Sequence, residues 1–359
     1  MTNTAQKQVF AASFGQVLTR AIYLTSKQII SATAPTTAGD LSLGLSLVTR
    51  ELEKKAGQKM DPSLVVLSGS QQDLDTLSGK TQAQMVPEDQ AITAAERFLT
   101  KSTGLPTAIL DLGPSAFLDR YPAEEVARWL PYQVNLNDIE NHLANKRLFP
   151  RVVPVTPHEY EIDLAVARQA VIKLGQKDGR DYLGLETTMN LVLTGGLLTS
   201  IPNTADLASV VLDSFYFKSG TNVYRDNAGD LVPLGAVLAA DPSAEVDLAA
   251  GLKRVGSMIH LGGSHKMSLD FGYETKQRLT LDPGEIVTLP AGEDHSIEVS
   301  VGVGKSTHRY RLSGGVGGIY LDNRIRPLGV IASSKDSMAR ILTWRKQLSA
   351  EKLTSGESL

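Results

Sequence analysis

The order of strand and helix signals along the chain limits its fold more than any other feature. From Gln8 the sequence reads as three short apolar strands joined by tight turns, QVFAA, VLTRAIYL and IISATA. Leucines at near-helical spacing (Leu43, Leu47 and Leu52) then predict a helix over residues 41–55. SLVVLSGS predicts a buried strand, and a second helix is predicted over residues 87–100. A meander followed by alternating helices and strands predicts an α/β protein.

Two further segments of the first half are less regular. Residues 71–85 are polar and show no periodicity. In PTAILDLGPSAFLDRY, from Pro106, an apolar strand runs into a glycine loop and a second apolar segment leaves it. This resembles the opening strand, loop and strand, so the sequence suggests a duplication.

Capping signals predict three more helices. Thr156, a proline and Glu159 form a capping box. Asn137 starts a shorter helix, and Thr204 caps TADLASVVLDSF. PLGAVLAA, from Pro233, predicts a helix of small residues that packs closely against a neighbour. The apolar stripe predicted for the helix after Thr156 is Ile162, Ala165, Val166, Ala170 and Leu174.

The C-terminal third changes character. Beyond His265, short alternating strands with Gly, Pro and Asp turns predict a small β domain. The tail predicts one amphipathic helix whose face includes Met338, Ile341 and Leu348.

Composition excludes several kinds of protein. The 359 residues, 42% hydrophobic and 21% charged, are enough for two or three cores. A net charge of -3 gives no general attraction for nucleic acid or membranes, so we expect small molecules or proteins as partners. The chain has no cysteine, which excludes a cysteine-ligated metal. Because no apolar stretch reaches about 18 residues and no secretion signal is present, we expect a cytoplasmic protein.

Three glycine turns are the strongest candidates for a ligand site. Two loops whose backbone N–H groups face each other can hold phosphates, and a carboxylate in them can hold a hydrated Mg²⁺ ion. A third glycine turn can receive adenosine. Asp111 is the candidate catalytic residue and the candidate Mg²⁺ ligand through water. The candidate cofactor-binding residues are Ser13, Gly15, Gly113, Ser115, Thr194, Gly195 and Gly196. Each motif alone is also compatible with a plain tight turn.

Several segments resemble the MutL/GlmL proteins associated with glutamate mutase. They are NDIENHLANKRLFPRVVPVTPHEYEIDLAVARQAV, LVLTGGLLTSIPN, RLSGGVGGIYLDNRIRPL and RILTWRKQL, with a fainter similarity at ATAPTT. The similarity extends from about Asn135 to Leu348. It implies the actin-like (ribonuclease H-like) ATPase fold of the actin, Hsp70 and sugar-kinase superfamily, with a small C-terminal β domain. It also implies ATP and Mg²⁺ as ligands, and a chaperone or reactivating role for an adenosylcobalamin-dependent mutase.

The resemblance also implies a domain organisation. Residues 1–106 would form a shortened first ribonuclease H-like subdomain, and residues 107–262 a second one that contains the adenosine turn. Residues 263–330 would form the small β domain, and residues 331–359 the C-terminal helix and tail.

The chain departs from this family at the phosphate loops. Ser13 stands where the family's fold has an aspartate, and Pro114 lacks the N–H that would face a phosphate. Residues 323–326, Asn-Arg-Ile-Arg, replace the usual Arg-Gly of the C-terminal motif. We therefore expect a degenerate pseudo-ATPase with weak or no hydrolysis.

Two alternatives stay open. The first is a non-catalytic partner subunit or scaffold that pairs with a full-length paralogue, as a hetero- or homodimer. The second is a small-molecule kinase, in which Asp111 would face the acceptor hydroxyl.

Four other motifs have simpler interpretations. GVGKST, residues 302–307, contains part of a P-loop, but an alternating segment follows it, which predicts a hairpin turn with a solvated Lys305. His260 and His265, with Asp270, lack metal-ligand spacing and are interpreted as isolated polar or loop histidines. The basic residues Lys146, Arg147 and Arg151 are interpreted as complementing a helix dipole, with contact to a phosphate or an acidic partner as the alternative. The two tryptophans, Trp129 and Trp344, are interpreted as core residues.

Overall fold

The computed structural model describes residues 8–25, 28–37, 40–175, 183–263, 267–270, 278–303 and 306–349. Contacts divide the chain into two units. The first unit contains Met1–Ser115 and Asp226–Leu252, and the second contains Ala116–Arg225 and Lys253–Leu359. The domain boundaries drawn from the sequence stay a prediction.

Strands and helices alternate along most of the described chain. The strands are β1 (Val9–Phe14), β2 (Leu18–Leu24), β3 (Ile29–Pro35), β4 (Leu64–Gly69), β5 (Gln84–Pro87), β6 (Thr107–Asp111), β7 (Leu183–Leu185), β8 (Met189–Thr194), β9 (Phe215–Phe217), β10 (Thr221–Asp226), β11 (Leu252–His260), β12 (Met267–Asp270), β13 (Arg278–Leu281), β14 (Ile286–Leu289), β15 (Ser296–Val303), β16 (Ser306–Ser313) and β17 (Ile319–Asp322). The α-helices are α1 (Leu41–Ala56), α2 (Gln71–Leu77), α3 (Glu88–Thr103), α4 (Ala123–Ala127), α5 (Leu136–Leu148), α6 (Pro157–Gly175), α7 (Gly196–Thr199), α8 (Thr204–Ser214), α9 (Leu231–Ala240) and α10 (Lys335–Leu348).

Five strands of the first unit form one sheet in the order β3-β2-β1-β4-β5. The pairs β1–β2 and β2–β3 are antiparallel, whereas β1–β4 and β4–β5 are parallel. An antiparallel meander extended by parallel strands through helices is the arrangement of a ribonuclease H-like sheet. The actin-like α/β fold predicted from the sequence is therefore confirmed.

Strand β1 is buried on both of its faces. Phe10, Ala12 and Phe14 share a core with Val48 and Leu52 of α1. Because side chains alternate along a strand, Ser13 points away from that core, to the opposite face of the sheet. Helix α9 contacts β1, β4 and β5.

Helix α9 packs closely against α3 at a glycine. An ideal Cβ built on Gly235 would lie 2.3 Å from the carbonyl oxygen of Ala91 and 3.2 Å from the Cβ of Ala95. Ala91 and Ala95 are both fully buried. The small residues of PLGAVLAA therefore allow the close helix packing that the sequence predicts.

We expect Gly235→Ala to lower the free energy of unfolding by about 1–3 kcal/mol, because the added methyl group clashes with backbone and overpacks the α3–α9 contact. The midpoint of urea unfolding, followed by circular dichroism, measures this change. Gly251→Ala is the control, since its Cβ would meet only the Cβ of Ala228 at 3.4 Å. Equal midpoints for the two variants would contradict the packing argument.

The second unit contains a larger sheet in which β14, β17, β11, β10 and β8 are neighbours in that order. β17 is parallel to β11 and antiparallel to β14, and β10 is parallel to β8. β13, β12, β15 and β16 form a separate four-stranded antiparallel sheet in the predicted C-terminal β region. This region therefore supplies both its own sheet and two strands of the larger one.

The structure corrects two predictions in the first unit. The segment after the second glycine loop is a 3₁₀ helix, Pro114–Leu118, and no strand leaves that loop, so the predicted strand-loop-strand repeat is wrong. Proline fits the first turn of a helix because it lacks only a donor that has no partner there. The polar stretch over residues 71–85 contains α2 and the start of β5, which bury Leu74 and Val86.

Helix starts and faces also differ in detail from the sequence pattern. The capping box at Thr156 and Glu159 forms as predicted, with reciprocal hydrogen bonds of 3.1 and 3.2 Å. By contrast, α5 is capped by Asn135 and α8 by Asn203, each one or two residues before the predicted cap. Two leucines of the spacing that predicted α1, Leu43 and Leu47, are exposed, as is Leu174 of the predicted apolar stripe.

The remaining motifs of the second unit are placed as follows. β15 and β16 pair up to Val303 and Ser306, so the hairpin predicted at GVGKST is confirmed. Lys305 and His265 lie outside the described residues. Trp129 and Trp344 are buried, as predicted. Among the described residues, no helix combines the length and the apolar character needed to cross a membrane.

The second unit also contains a group of ionisable side chains that are at most 7% exposed, which we call the buried charge cluster. Its members are Arg168, Asp213, His260, Asp322, Arg324 and Arg326. His260 ends β11 inside this cluster, so its interpretation as an isolated polar or loop histidine is wrong.

Ion pairs connect the members of the buried charge cluster. Asp213 accepts from Arg168 and Arg324, each at 2.7 Å. Asp322 accepts from Arg324 at 2.7 Å and from His260 at 2.8 Å, and it lies 3.3 Å from Arg326. Burial alone would raise the pKa of both carboxyl groups, but Arg324 and their other partners hold each pKa below its usual value.

Candidate functional site

The first predicted phosphate loop is a tight turn between β1 and β2. The backbone N–H of Gly15 donates to the carbonyl of Leu18 at 3.0 Å, and a Cβ on Gly15 would lie 3.0 Å from the same oxygen. Ser13 is buried and is the register partner of Arg20 on β2 and of Ser68 on β4. The loop therefore forms, with a hydroxyl in place of the carboxylate expected there.

The second predicted loop follows β6. Asp111 is the last residue of that strand and is half-buried. Gly113 has open space around it, since an ideal Cβ built on it would contact only Ser115, whose Oγ would lie 3.6 Å away. Pro114 begins the 3₁₀ helix. Burial raises the pKa of Asp111, against the opposing charge of Arg20, and Asp226 raises it further.

Acidic side chains from other segments lie near Asp111 or near Asp226, which itself acts on Asp111. Glu88 directly follows β5, and burial together with the carboxylates of Asp111 and Asp73 raises its pKa to about 7. Burial and Asp226 raise the pKa of Asp230 to about 6. Each of these carboxyl groups is desolvated and repelled by at least one neighbouring carboxylate, which is why its pKa is raised.

Arg20 is the cation that faces this acidic group. Its Nη1 donates to the carbonyl of Gly229 at 3.4 Å, and its charge lowers the pKa of both Asp111 and Asp230. The turn that carries Gly229 is held by Asp226, whose Oδ1 accepts from the N–H of Gly229 at 2.8 Å. Arg20 thus links the β1–β2 hairpin, the end of β6 and the turn before α9 in one site.

The predicted adenosine turn lies in the second unit, after β8. Gly195 has a φ of 85°, which favours glycine, and its carbonyl accepts from the N–H and the hydroxyl of Thr199 at 3.0 and 2.9 Å. Thr194 is buried and Gly196 begins α7. Arg225 donates to the carbonyls of Thr199 and Ile201. These bonds hold the turn in one shape.

The structure therefore brings together some of the predicted site residues. Ser13, by strand register, and Asp111, through its charge, lie near Arg20 in the first unit. Gly15 lies in the turn after β1, and Gly113 and Ser115 follow Asp111 in the chain. The adenosine-turn residues Thr194, Gly195 and Gly196 belong to the second unit. Their assignment as one nucleotide site stays a prediction.

The residues of the first unit fit a Mg²⁺-bound phosphate group. Mg²⁺ keeps several waters and is bound through one or two carboxylates together with substrate phosphates. Asp111 and Glu88 could supply the carboxylates, and Arg20 could offset the phosphate charge. The Oγ of the fully buried Ser68 has no hydrogen-bond partner among the described residues, so a donor is free beside Ser13. No group of three acidic or histidine side chains in the described ranges could hold a metal ion by itself.

Sequence reasoning missed Arg20, Glu88, Asp226 and Asp230. A charged residue inside the apolar run VLTRAIYL was a signal for Arg20, because a charge on a buried strand needs a partner. Glu88 could have been found by recognising β5, since side chains at the carboxyl ends of parallel strands line the usual ligand site of α/β sheets.

Comparisons with known proteins add the following findings. No protein-family model matches the sequence, and no curated protein matches it. Among solved structures, the activator of the 2-hydroxyisocaproyl-CoA dehydratase from Clostridium difficile, with bound ADPNP, is 16% identical over 67% of this chain and 98% of that chain, with a TM-score of 0.41. Component A of the (R)-2-hydroxyglutaryl-CoA dehydratase from Acidaminococcus fermentans is 14% identical over 66% of this chain and 100% of that chain, also with a TM-score of 0.41. The ROK hexokinase from Thermus thermophilus is 15% identical over 65% of this chain and 98% of that chain, with a TM-score of 0.34. These identities and TM-scores are too low to assign a ligand or an activity to this chain.

Proposed function

We propose that this protein is a nucleotide-binding accessory protein of actin-like fold that binds Mg²⁺ and ATP and hydrolyses ATP weakly or not at all. By the resemblance of its sequence to MutL/GlmL proteins, its partner would be an adenosylcobalamin-dependent mutase or a full-length paralogue. Nucleotide binding would alter a partner-binding surface.

One observation carries the nucleotide-binding part of this proposal. Asp111 and Glu88 each stand at the carboxyl end of a strand, and burial raises the pKa of both, with the charge of Asp111 adding to the shift of Glu88. A carboxylate pair of this kind is stabilised by a divalent cation, which supplies the missing positive charge. Arg20 beside them suits a phosphate oxygen, since guanidinium groups bind phosphates well.

Two residues argue against efficient hydrolysis. The hydroxyl of Ser13 cannot replace a carboxylate in orienting an attacking water or holding hydrated Mg²⁺. Pro114 offers no N–H to a phosphate. Binding without turnover is the role that fits both losses, as in a protein whose nucleotide acts as a conformational ligand.

Calorimetric titration tests this proposal. We expect Mg²⁺ with ATP to bind the folded protein, and Asp111→Asn to weaken that binding about tenfold, because the variant loses one of the two carboxylates. Asp119→Asn is the matched control, since Asp119 is exposed and pairs with Lys173 at 3.2 Å. No heat from wild type at millimolar Mg²⁺ and ATP would remove the proposal, as would equal binding by Asp111→Asn.

A second candidate function, a partner-binding subunit, is favoured by an apolar surface in the second unit. We call residues 148–155 the apolar segment; five of its side chains are between 55% and 84% exposed: Leu148, Phe149, Val152, Val153 and Val155. Exposed apolar groups at this density mark interaction sites.

Hydrogen bonds fix the apolar segment in its interior and at its C-terminal end. Lys146 is buried, and its Nζ donates to the carbonyl of Val152 at 2.6 Å and to Asp163 at 2.7 Å. Lys146 therefore anchors this segment, a role beyond complementing a helix dipole. At the C-terminal end, Glu159 accepts from the N–H of Val155 at 2.8 Å. A segment held in one conformation loses less entropy on binding.

The charges beside the apolar segment indicate its partner. Arg147 and Arg151 are exposed, so an apolar partner surface with carboxylates around it would be complementary. We expect co-expression with the cobalamin-dependent mutase or the full-length paralogue to give a complex on size-exclusion chromatography. Val153→Asp with Val155→Asp should abolish it, whereas Val316→Asp, also at an exposed valine, should not. A complex that survives the double substitution would remove this surface as the interface.

A further inference from the structure

A small pocket in the second unit lies beside the buried charge cluster. Its volume is about 90 Å³, and it is lined by Arg128, Trp129, Asp213, Arg326 and residues 327–330. We call it the arginine pocket. It belongs to a different unit from the Asp111 site and takes no part in the function proposed above.

The buried charge cluster carries an excess of positive charge next to this pocket. Its three arginines, Arg168, Arg324 and Arg326, face two aspartates, so the balance is 3 − 2 = +1 while His260 is neutral. Burial lowers the pKa of His260 to about 4, although Asp322 opposes this shift, so the imidazole adds no charge at neutral pH. One buried positive charge therefore has no counter-ion within the cluster.

The excess charge is located at Arg326. Asp213 already accepts from Arg168 and Arg324, so it offers Arg326 only its backbone carbonyl, at 3.1 Å. Arg326 also donates to the carbonyl of Leu212, and its contact with a carboxylate, Asp322 at 3.3 Å, is longer than the 2.7 Å pair that Asp322 makes with Arg324. Desolvation, with a further contribution from Arg324, lowers the pKa of Arg326 to about 10 even though Asp322 opposes the shift.

Both arginines of the pocket keep donors without partners. The Nε atoms of Arg326 and Arg128 are buried and have no hydrogen-bond partner within the described part of the chain. The Arg326 side chain is only 5% exposed. Arg128 lies with its guanidinium carbon 5.2 Å from the Trp129 ring centroid and donates to Gln169 at 3.3 Å. Buried donors of charged groups that lack partners are costly, so an acceptor here is favourable.

We infer that the arginine pocket binds a small oxyanion, a carboxylate or a phosphate group, between Arg128 and Arg326. Guanidinium groups bind both kinds of oxyanion through pairs of N–H donors. The anion would supply the negative charge that the cluster lacks.

Isothermal titration with inorganic phosphate and with acetate, at ionic strength matched by potassium chloride, tests this inference. We expect saturable binding of at least one of the two, and the stronger of them identifies the class of ligand. Arg128→Gln should weaken binding about tenfold, because it removes one guanidinium and leaves the buried charge cluster intact. Arg151→Gln removes the same charge from an exposed site and should bind as wild type does.

Two outcomes would overturn the inference. One is that neither anion gives saturable heat beyond the chloride control with folded protein. The other is that Arg128→Gln and Arg151→Gln bind the anion equally well, since binding would then depend only on net charge. Neither outcome bears on nucleotide binding, because Arg128 and Asp111 lie in different units.

Discussion

Replacing Arg324 with methionine is expected to lower the free energy of unfolding by about 3–5 kcal/mol, the effect of leaving buried charges without their partner. Arg324 is 1% exposed and serves both aspartates of the buried charge cluster. Its Nη1 donates to Asp213, and its Nε and Nη2 donate to Asp322. Its guanidinium also stacks on Trp344, 4.7 Å from the ring centroid. Methionine restores the bulk of the side chain and none of these bonds.

Urea unfolding at neutral pH measures this loss, and an exposed pair provides the control. Lys218 and Glu186 are 2.6 Å apart, yet their side chains are 50% and 53% exposed. Lys218→Met should change the free energy of unfolding by about 0.5 kcal/mol or less, because water screens such a pair. Similar small changes in both variants would mean that Arg168, His260 and Arg326 can neutralise the two aspartates without Arg324.

The sequence predicted the parts of the fold that depend on neighbouring residues. The opening meander, the helix of small residues and the capping box at Thr156 are all specified by short patterns, and all three are found. The caps of α5 and α8 were misplaced because an Asn side chain can bond to a backbone N–H two residues later, as Asn135 and Asn203 do. The strand β5 was missed because it is short and few of its side chains are buried.

The candidate site depended on contacts that no spacing along the chain reveals. Arg20, Glu88, Asp111 and Asp230 come from four segments that are far apart in sequence, and only the folding of the first unit brings their charges together. Asp111 and the glycine turns were recognisable because glycine and a strand-terminal aspartate have local meanings. The buried charge cluster was not recognisable for the opposite reason: each of its arginines is, in sequence, indistinguishable from a surface residue.

The pH dependence of stability is expected to depend strongly on His260. The backbone N–H of Phe217 donates to Nδ1 at 2.9 Å, which leaves the proton of the neutral ring on Nε2, facing Asp322 at 2.8 Å. Burial lowers the pKa of His260 from 6.5 to about 4, with Arg326 adding to this effect and Asp322 opposing it. Between about pH 7 and pH 4 the unfolded chain therefore binds a proton that the folded protein does not bind.

This difference in proton binding fixes the sign of the effect. As the pH falls from about 7 to about 4, His260 should reduce the free energy of unfolding of the wild type by about 3 kcal/mol, since each pKa unit is worth about 1.4 kcal/mol. His260→Gln keeps a donor toward Asp322 and cannot be protonated in this range. Its free energy of unfolding should therefore decline less than that of the wild type by about the same amount.

Comparing the two proteins isolates His260 from other titrating groups. Glu88, with a pKa raised to about 7, and Asp230, with one raised to about 6, act in the opposite direction, because the folded protein keeps their protons longer and loses stability as the pH rises. These groups are present in both proteins, so their contributions cancel in the difference between the two urea-unfolding curves at each pH. Parallel pH profiles for wild type and His260→Gln would show that the folded protein accommodates a protonated His260, with Asp322 neutralising it.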